Sequence, residues 1–342
     1  MNHLRMRRKA FFLGVLLTAA PALFAVSRYA NAFLEIGVGA RALAMGSAAC
    51  GLTDDAMSFY WNPAGLAYIK RAQLSGMVGN QFGSLSEPLG NYHHIGLTLP
   101  MSDKVVIAAN WIRLAVDGIP IFDELQGHSY YDRLHNLSLR PSGDAEGMFA
   151  DVEDAFLFSF SRQNELNWDL GWMFHRVRVD MPIGINLKFM RQSMGSGTAS
   201  GIGMDVGAML KLHMDDLFQA GKLGIISLGM QLQDFTRTSM NWNTKHQDFI
   251  PLNVKWGLAY TQPLPIEGHF FSIALDWDSR WNGGRHVGVE YSGFGVFFLR
   301  AGFDNSRFSV GAGLRFWVVG IDYAFLSHEL DALHRIGCVI SF

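Results

Sequence analysis

From Arg71 onward, apolar and polar residues alternate in blocks that turn-forming residues separate. In 269–278, Phe271, Ile273, Leu275 and Trp277 share one face, and Ser272, Ala274, Asp276 and Asp278 share the other. In 182–190, Ile183, Ile185, Leu187 and Phe189 alternate with Gly184, Asn186 and Lys188. A repeat of two residues over such lengths predicts strands. Fourteen are expected, near 71–82, 91–100, 104–115, 154–163, 182–194, 201–213, 222–234, 252–262, 269–279, 284–292, 295–303, 307–316, 318–326 and 333–342. Turn residues such as Gly195-Ser196-Gly197, Asn282-Gly283-Gly284 and Asp304-Asn305-Ser306 lie between them. Spans near ten residues exceed the ~5–6 of an ordinary sheet and match a tilted membrane strand.

An even strand number brings both ends of the wall to one side. The connections 116–153 and 235–251 then fall together on the opposite, outer side. Residues 164–181 fit poorly: Trp168, Trp172, Met173 and Phe174 make a long apolar stretch where a connection is due. An extra hairpin, an interfacial helix and a further strand all remain open there. The last strand ends with Ile336, Cys338, Ile340 and Phe342 on one face.

The first 69 residues break the pattern. Arg5, Arg7, Arg8 and Lys9 precede the apolar run Ala10 to Val26, and Ala30-Asn31-Ala32 has the small-x-small form of a signal-peptidase site, so 1–32 reads as a cleaved signal peptide. Residues 33–69 hold turn and helix chemistry instead. Asn62-Pro63-Ala64-Gly65 suits a type I turn, with Pro presetting the second position. Asp54-Asp55 stand where an N-cap would, ahead of the helix-compatible run Ala56 to Trp61.

Composition agrees with a membrane barrel without demanding one. Apolar residues make up 49% and charged residues 17%, below the ~25% of a soluble domain, and 37 of the 342 residues are Gly. After the leader no apolar run reaches the ~18 residues of a spanning helix, so a membrane form must be a closed barrel. A soluble β sandwich is the competing architecture. It would require the long apolar faces to pack on one another. Net charge is −2, and the leader carries five basic residues and no acidic one; nucleic acid is not an expected partner. Cys50 and Cys338 are too few for a disulfide framework and read as small apolar residues.

With the apolar faces towards lipid, the lumen receives Lys188, Asp205, Lys211, Lys255, Asp276, Asp278, Glu290, Arg300, Arg315, Asp322 and Arg335. Both signs are nearly balanced, which predicts paired networks and not an ion-selective ring. Fourteen strands enclose more space than wall side chains fill, since about eight already suffice for that. Residues 33–69 are expected to occupy it as a plug, with 70–342 as the barrel.

No enzyme chemistry emerges. Gly37-Val38-Gly39-Ala40-Arg41-Ala42 matches G-x-G-x-x-A, but no strand precedes it and no βαβ unit contains it. His93 and His94 point to opposite strand faces and cannot chelate one metal. Zinc spacings, the H-E-x-x-H helix and the G-x-S-x-G elbow are missing, so no cofactor is expected.

A family resemblance rests on Ala40-Arg41-Ala42-Leu43-Ala44-Met45-Gly46, Asp54-Asp55-Ala56 and Tyr60-Trp61-Asn62-Pro63-Ala64-Gly65-Leu66. With Pro251 to Tyr260 and Gly311 to Phe325, these segments look like the PorV/PorQ proteins of the FadL-like outer-membrane group, and resemble FadL-like paralogues of spirochaetes. Two departures stand out: Gly46-Ser47, where that family has a Gly pair, and the stretch 164–181. The resemblance implies a fourteen-stranded transmembrane barrel with an N-terminal hatch. Arg41, Gly46, Asp54, Asp55, Asn62, Pro63, Ala64 and Gly65 would form the plug motif. It also implies uptake of long-chain fatty acids or other hydrophobic molecules across the bacterial outer membrane. PorV relatives instead serve secretion and bind exported proteins. A terminal Phe342 resembles the signal read by the outer-membrane assembly machinery.

Overall fold

The computed structural model describes residues 32–83, 87–127, 129–139, 143–169, 171, 176–218, 223–280, 283–329 and 331–342. Residues 1–31 of the expected leader 1–32 lie outside the described residues, as do Asn282 and the apolar trio Trp172, Met173 and Phe174.

Fourteen strands form the wall. The first seven are β1 Gln73–Gly83, β2 Pro88–Ser102, β3 Val105–Ile121, β4 Gly147–Arg162, β5 Ile183–Met194, β6 Gly197–His213 and β7 Ile225–Gln233. The rest are β8 Asn253–Pro263, β9 His269–Asp278, β10 Gly284–Gly293, β11 Phe297–Asp304, β12 Arg307–Phe316, β13 Val319–Leu326 and β14 Leu333–Ser341. Each pairs antiparallel with the next, and β14 returns to β1 with Ser341 opposite Gln73 and Arg335 opposite Gly79. The sheet is therefore a closed barrel without an open edge.

Every predicted strand has its counterpart, and the differences lie at the ends. β3 and β4 run on together past the expected span, through a register shift between Val116 and Ile119. The stretch 164–181 contains a hairpin, Glu165–Asp169 with Arg176–Asp180, whose second arm pairs Val179 with Leu212 at the end of β6. The long connection after β7 folds into a second small hairpin, Ser239–Trp242 with Gln247–Phe249, which pairs back onto β6.

The alternation sorts side chains as period two requires. Outward positions such as Ile95, Phe158, Ile202, Leu314 and Ile336 are exposed and form the apolar belt of a membrane-spanning wall. Inward positions such as Asn110, Asn186, Gln231 and Arg335 are buried. Cys50 and Cys338 are both free; the first is buried in the lumen and the second lies on β14.

The lumen is filled by Ala32 to Ile69. This segment contains a 3-10 turn at Ala32–Glu35, helix α1 at Ala40–Ala44, helix α2 at Ser58–Trp61 and a 3-10 helix at Pro63–Tyr68. Leu43, Phe59, Trp61 and Leu66 pack there with Met77, Tyr92, Ile112 and Leu157 of the wall. One local expectation is corrected. α2 begins at Ser58 with Met57 at the N-cap and no side-chain cap, so neither Asp54 nor Asp55 caps it. Asp55 instead closes the turn before the helix, accepting from the Met57 amide at 2.9 Å.

Candidate functional site

A non-strand segment inside a barrel must find partners for its backbone polar groups where little water reaches. Side chains from the inner wall supply them. Asp276 on β9 accepts from the amides of Ala49 and Cys50 at 2.7 and 2.6 Å. Asn186 on β5 donates to the Phe59 carbonyl at 2.7 Å, and Gln231 on β7 donates to that of Tyr60 at 3.2 Å. Ser309 on β12 donates to the Ala44 carbonyl and accepts from the Gly46 amide at 2.9 Å.

Close approach accounts for a group of glycines on the inner wall. A Cβ at Gly184 would overlap the backbone of Pro63 and Ala64, and one at Gly229 would overlap that of Cys50. Gly302 and Gly288 make the same room for Met45. The luminal chain thus lies directly on wall backbone across β5, β7, β10 and β11. At Gly46 the requirement is double: φ is 63°, and a side chain would strike the backbone of Phe303.

Asn62 sits at the centre of this packing, fully buried. Its backbone carbonyl accepts from the Gly65 amide at 2.9 Å, which closes the predicted turn, and the turn continues as the 3-10 helix. Its Oδ1 accepts from the Ala64 amide at 3.2 Å, while Nδ2 donates to the carbonyls of Cys50 at 2.9 Å and of Ala208 on β6 at 3.1 Å. One side chain therefore ties the turn, the preceding loop and the wall together. Pro63 opens the 3-10 helix, where its missing N–H costs nothing. Gly65 is needed for space, because a Cβ there would meet the Thr53 carbonyl.

Arg41 holds the other side. Its guanidinium bridges Asp54 at 2.6 Å, Asp55 at 3.2 Å and Glu290 on β10 at 2.8 Å. Burial opposes the charge, but the three carboxylates more than offset this and hold the Arg41 pKa well above its usual value. The chain of ion pairs continues along the wall, from Glu290 to Arg300 at 2.6 Å, on to Asp322 at 2.7 Å and then to Arg315 at 2.6 Å. A separate trio joins Lys188 to Asp205 at 2.8 Å and Asp234 at 2.6 Å. These are the paired networks expected from the charge balance.

All eight plug-motif residues thus lie in the luminal segment, in two groups. Asn62, Pro63, Ala64 and Gly65 pack on β5 and β6; Asp54 and Asp55 meet at Arg41, which also holds Glu290, with Gly46 against β11. The wall residues that grip the backbone, Asn186, Ser309 and Gln231 among them, were not singled out from the sequence. Their only signal is a polar residue on the inward face of an alternating strand.

Between the luminal segment and the strand ends opposite the chain termini lies a cavity of about 520 Å³. Leu34, Ile36, Trp61 and Leu326 supply apolar lining; Lys255, Arg280, Asp278 and His286 supply charge. Among the described residues, no group of three or more His, Cys, Asp or Glu is placed to hold a metal ion.

No family model matches the chain, and no curated protein matches it. Solved structures do. The toluene transporter TodX of Pseudomonas putida is 11% identical with a TM-score of 0.50, covering 89% of this chain and 97% of its own. The toluene transporter TbuX of Ralstonia pickettii is 11% identical with a TM-score of 0.48, over 89% and 97%. A FadL homologue of Pseudomonas aeruginosa is 10% identical with a TM-score of 0.44, over 86% and 94%. The chain shares with TodX the fold of a closed antiparallel barrel, at an identity that speaks to fold alone.

Proposed function

We propose that this chain is an outer-membrane channel for hydrophobic small molecules, with residues 33–69 as its plug and long-chain fatty acids as its solute class. It acts by passage and not by catalysis. The observation that carries this is the luminal segment itself. It fills an apolar-belted barrel, yet leaves a chamber whose volume lies in the ~300–1,000 Å³ range of small-molecule sites. The likeness of fold to TodX, a toluene transporter, supports the same solute chemistry. The resemblance of the plug motif to PorV/PorQ and FadL-like proteins adds the hatch role for Asn62-Pro63-Ala64. A cleaved leader at 1–32 and recognition of Phe342 by the assembly machinery complete the outer-membrane reading. Uptake of labelled oleate in a bacterial host lacking its own fatty-acid transporter tests it. Expression should raise uptake well above empty vector, and no gain would refute it.

One observation favours a second function, binding of exported proteins. β3 and β4 run on together past the expected span of the wall, and their connection exposes Phe122, Leu125, Tyr130 and Tyr131. Aromatic surface of this kind suits protein contacts. Recovery of a stoichiometric secretion component from outer membranes with the tagged chain, lost on Tyr130→Ser/Tyr131→Ser, would support that role.

A further inference from the structure

On the side of the chain termini, the connection from β6 to β7 does more than turn. It forms a one-turn helix, Met214–Phe218, that leans over the outer face of β7 and β8. Hydrogen bonds hold it there: the Met214 amide donates to the Gly224 carbonyl at 3.1 Å, and Asp216 accepts from the Arg178 amide at 3.4 Å. Between helix and wall runs a groove of about 400 Å³, lined by Met214, Phe218, Leu223, Ile226, Leu258 and Tyr260. Its two sides do not close on each other, since Phe218 is 61% and Leu258 38% exposed.

Leaving such a groove bare to water is costly, at ~25 cal/mol per Å² of apolar surface. What covers it follows from where it opens. Ile226 pairs with Tyr260 and Leu228 with Leu258, all four on the outward face of the ladder. Further along that face, Met230 and Ile273 are exposed in the apolar belt. The groove is therefore continuous with the surface that meets lipid. Its other end is polar: the Tyr260 hydroxyl donates to Gln262 and accepts from the Gly224 amide at 3.4 Å. A tyrosine with its ring in apolar surroundings and its hydroxyl at the rim marks the level of the head groups. A stable protein contact takes roughly 20–30 residues a side, far more than line this groove.

We propose that the groove is a binding site for one membrane phospholipid, with an acyl chain between the helix and Ile226 and the glycerol end level with the Tyr260 hydroxyl. The bound lipid completes the apolar belt where the wall gives way to the helix. The site lies outside the lumen and is independent of the solute that passes through it.

Native mass spectrometry of the folded chain, moved from nanodiscs of palmitoyl-oleoyl phosphatidylcholine into mild detergent, tests it. The parent should retain one phospholipid more than Ile226→Trp, whose larger side chain fills the groove, and one more than Phe218→Ser, which removes its outer side. Leu314→Trp, a change of the same kind at an exposed belt position on β12, should retain the parent's number. Phe218 lies outside the wall ladder, so its variant tests the site without touching barrel assembly. Oleate uptake should be the same in all four proteins, so the site and the channel function fall separately. Equal phospholipid numbers in the parent and either groove variant overturn the proposal, and so does a doubled chain mass in place of the lipid.

Discussion

Replacing Asn62 by Ala should open the luminal segment without dismantling the barrel. The side chain is fully buried and makes three hydrogen bonds, to the Ala64 amide and to the carbonyls of Cys50 and Ala208. Its loss leaves those groups without their partner, and each buried polar group so abandoned costs roughly 1–3 kcal/mol. The low end of the sum, about 3 kcal/mol, raises the locally opened population on the order of a hundredfold. A reporter stands beside the perturbation. The Cys50 thiol is 1% exposed and 3.8 Å from Asn62 Nδ2, so it reacts with a water-soluble maleimide only when the segment opens. In a Cys338→Ser background, which removes the wall thiol, the labelling rate of Asn62→Ala should exceed that of its parent by about a hundredfold. Unheated electrophoretic migration should show the barrel still assembled, because no ladder bond of the wall is lost. A rate within threefold of the parent would refute the anchoring role given to Asn62.

Other perturbations act on the luminal segment, the inner wall and its last strand. Arg41→Ala removes one of the two guanidinium partners of Glu290 and leaves three carboxylates around the vacated position; a loss of roughly 3–5 kcal/mol is expected. It should appear as raised conductance in planar bilayers, and unchanged conductance would count against an ion-paired plug. Gly302→Val drives a side chain into the Met45–Gly46 backbone and should speed Cys50 labelling, whereas Gly147→Val, whose Cβ would meet only Ile121 at an ordinary 3.8 Å, should not. Lys188→Met leaves Asp205 and Asp234 facing each other without their shared cation and should lower the temperature at which the unheated band converts to the unfolded one. Deleting Phe342, which is exposed beyond the end of β14, should reduce the assembled fraction in cells without altering refolding of purified chain into detergent.

The wall was legible because lipid and lumen impose opposite demands on successive residues. That alternation survives in Ile183, Ile185 and Phe189 against Gly184, Asn186 and Lys188 without reference to any distant part of the chain. The overhang of β3 and β4 was not legible, since residues beyond the membrane lose the lipid constraint and Gly118-Ile119-Pro120 imitates a turn. Asp54 and Asp55 misled for a different reason. Asp favours N-caps locally, but Arg41 is a stronger partner than the amides of a helix one turn long. The ion pair of Glu35 with Arg280 carried no pattern at all, because each residue lies outside a strand and their meeting depends on how the luminal segment enters the barrel. The glycines on alternating strands were visible as residues but not as a surface; their shared purpose appears only once Met45, Cys50 and Pro63 rest on them.

The bare backbone at Gly184, Gly229, Gly288 and Gly302 bears on how the molecule is made. A wall built with those gaps has no side chains to close them, so an empty barrel would expose unfilled grooves along β5, β7, β10 and β11. Its inward acids and amides would also lose the amides and carbonyls they now hold. The luminal chain is therefore the surface against which those stretches of wall are shaped. Excising residues 33–69 should yield a poorly closing sheet and not a wider pore.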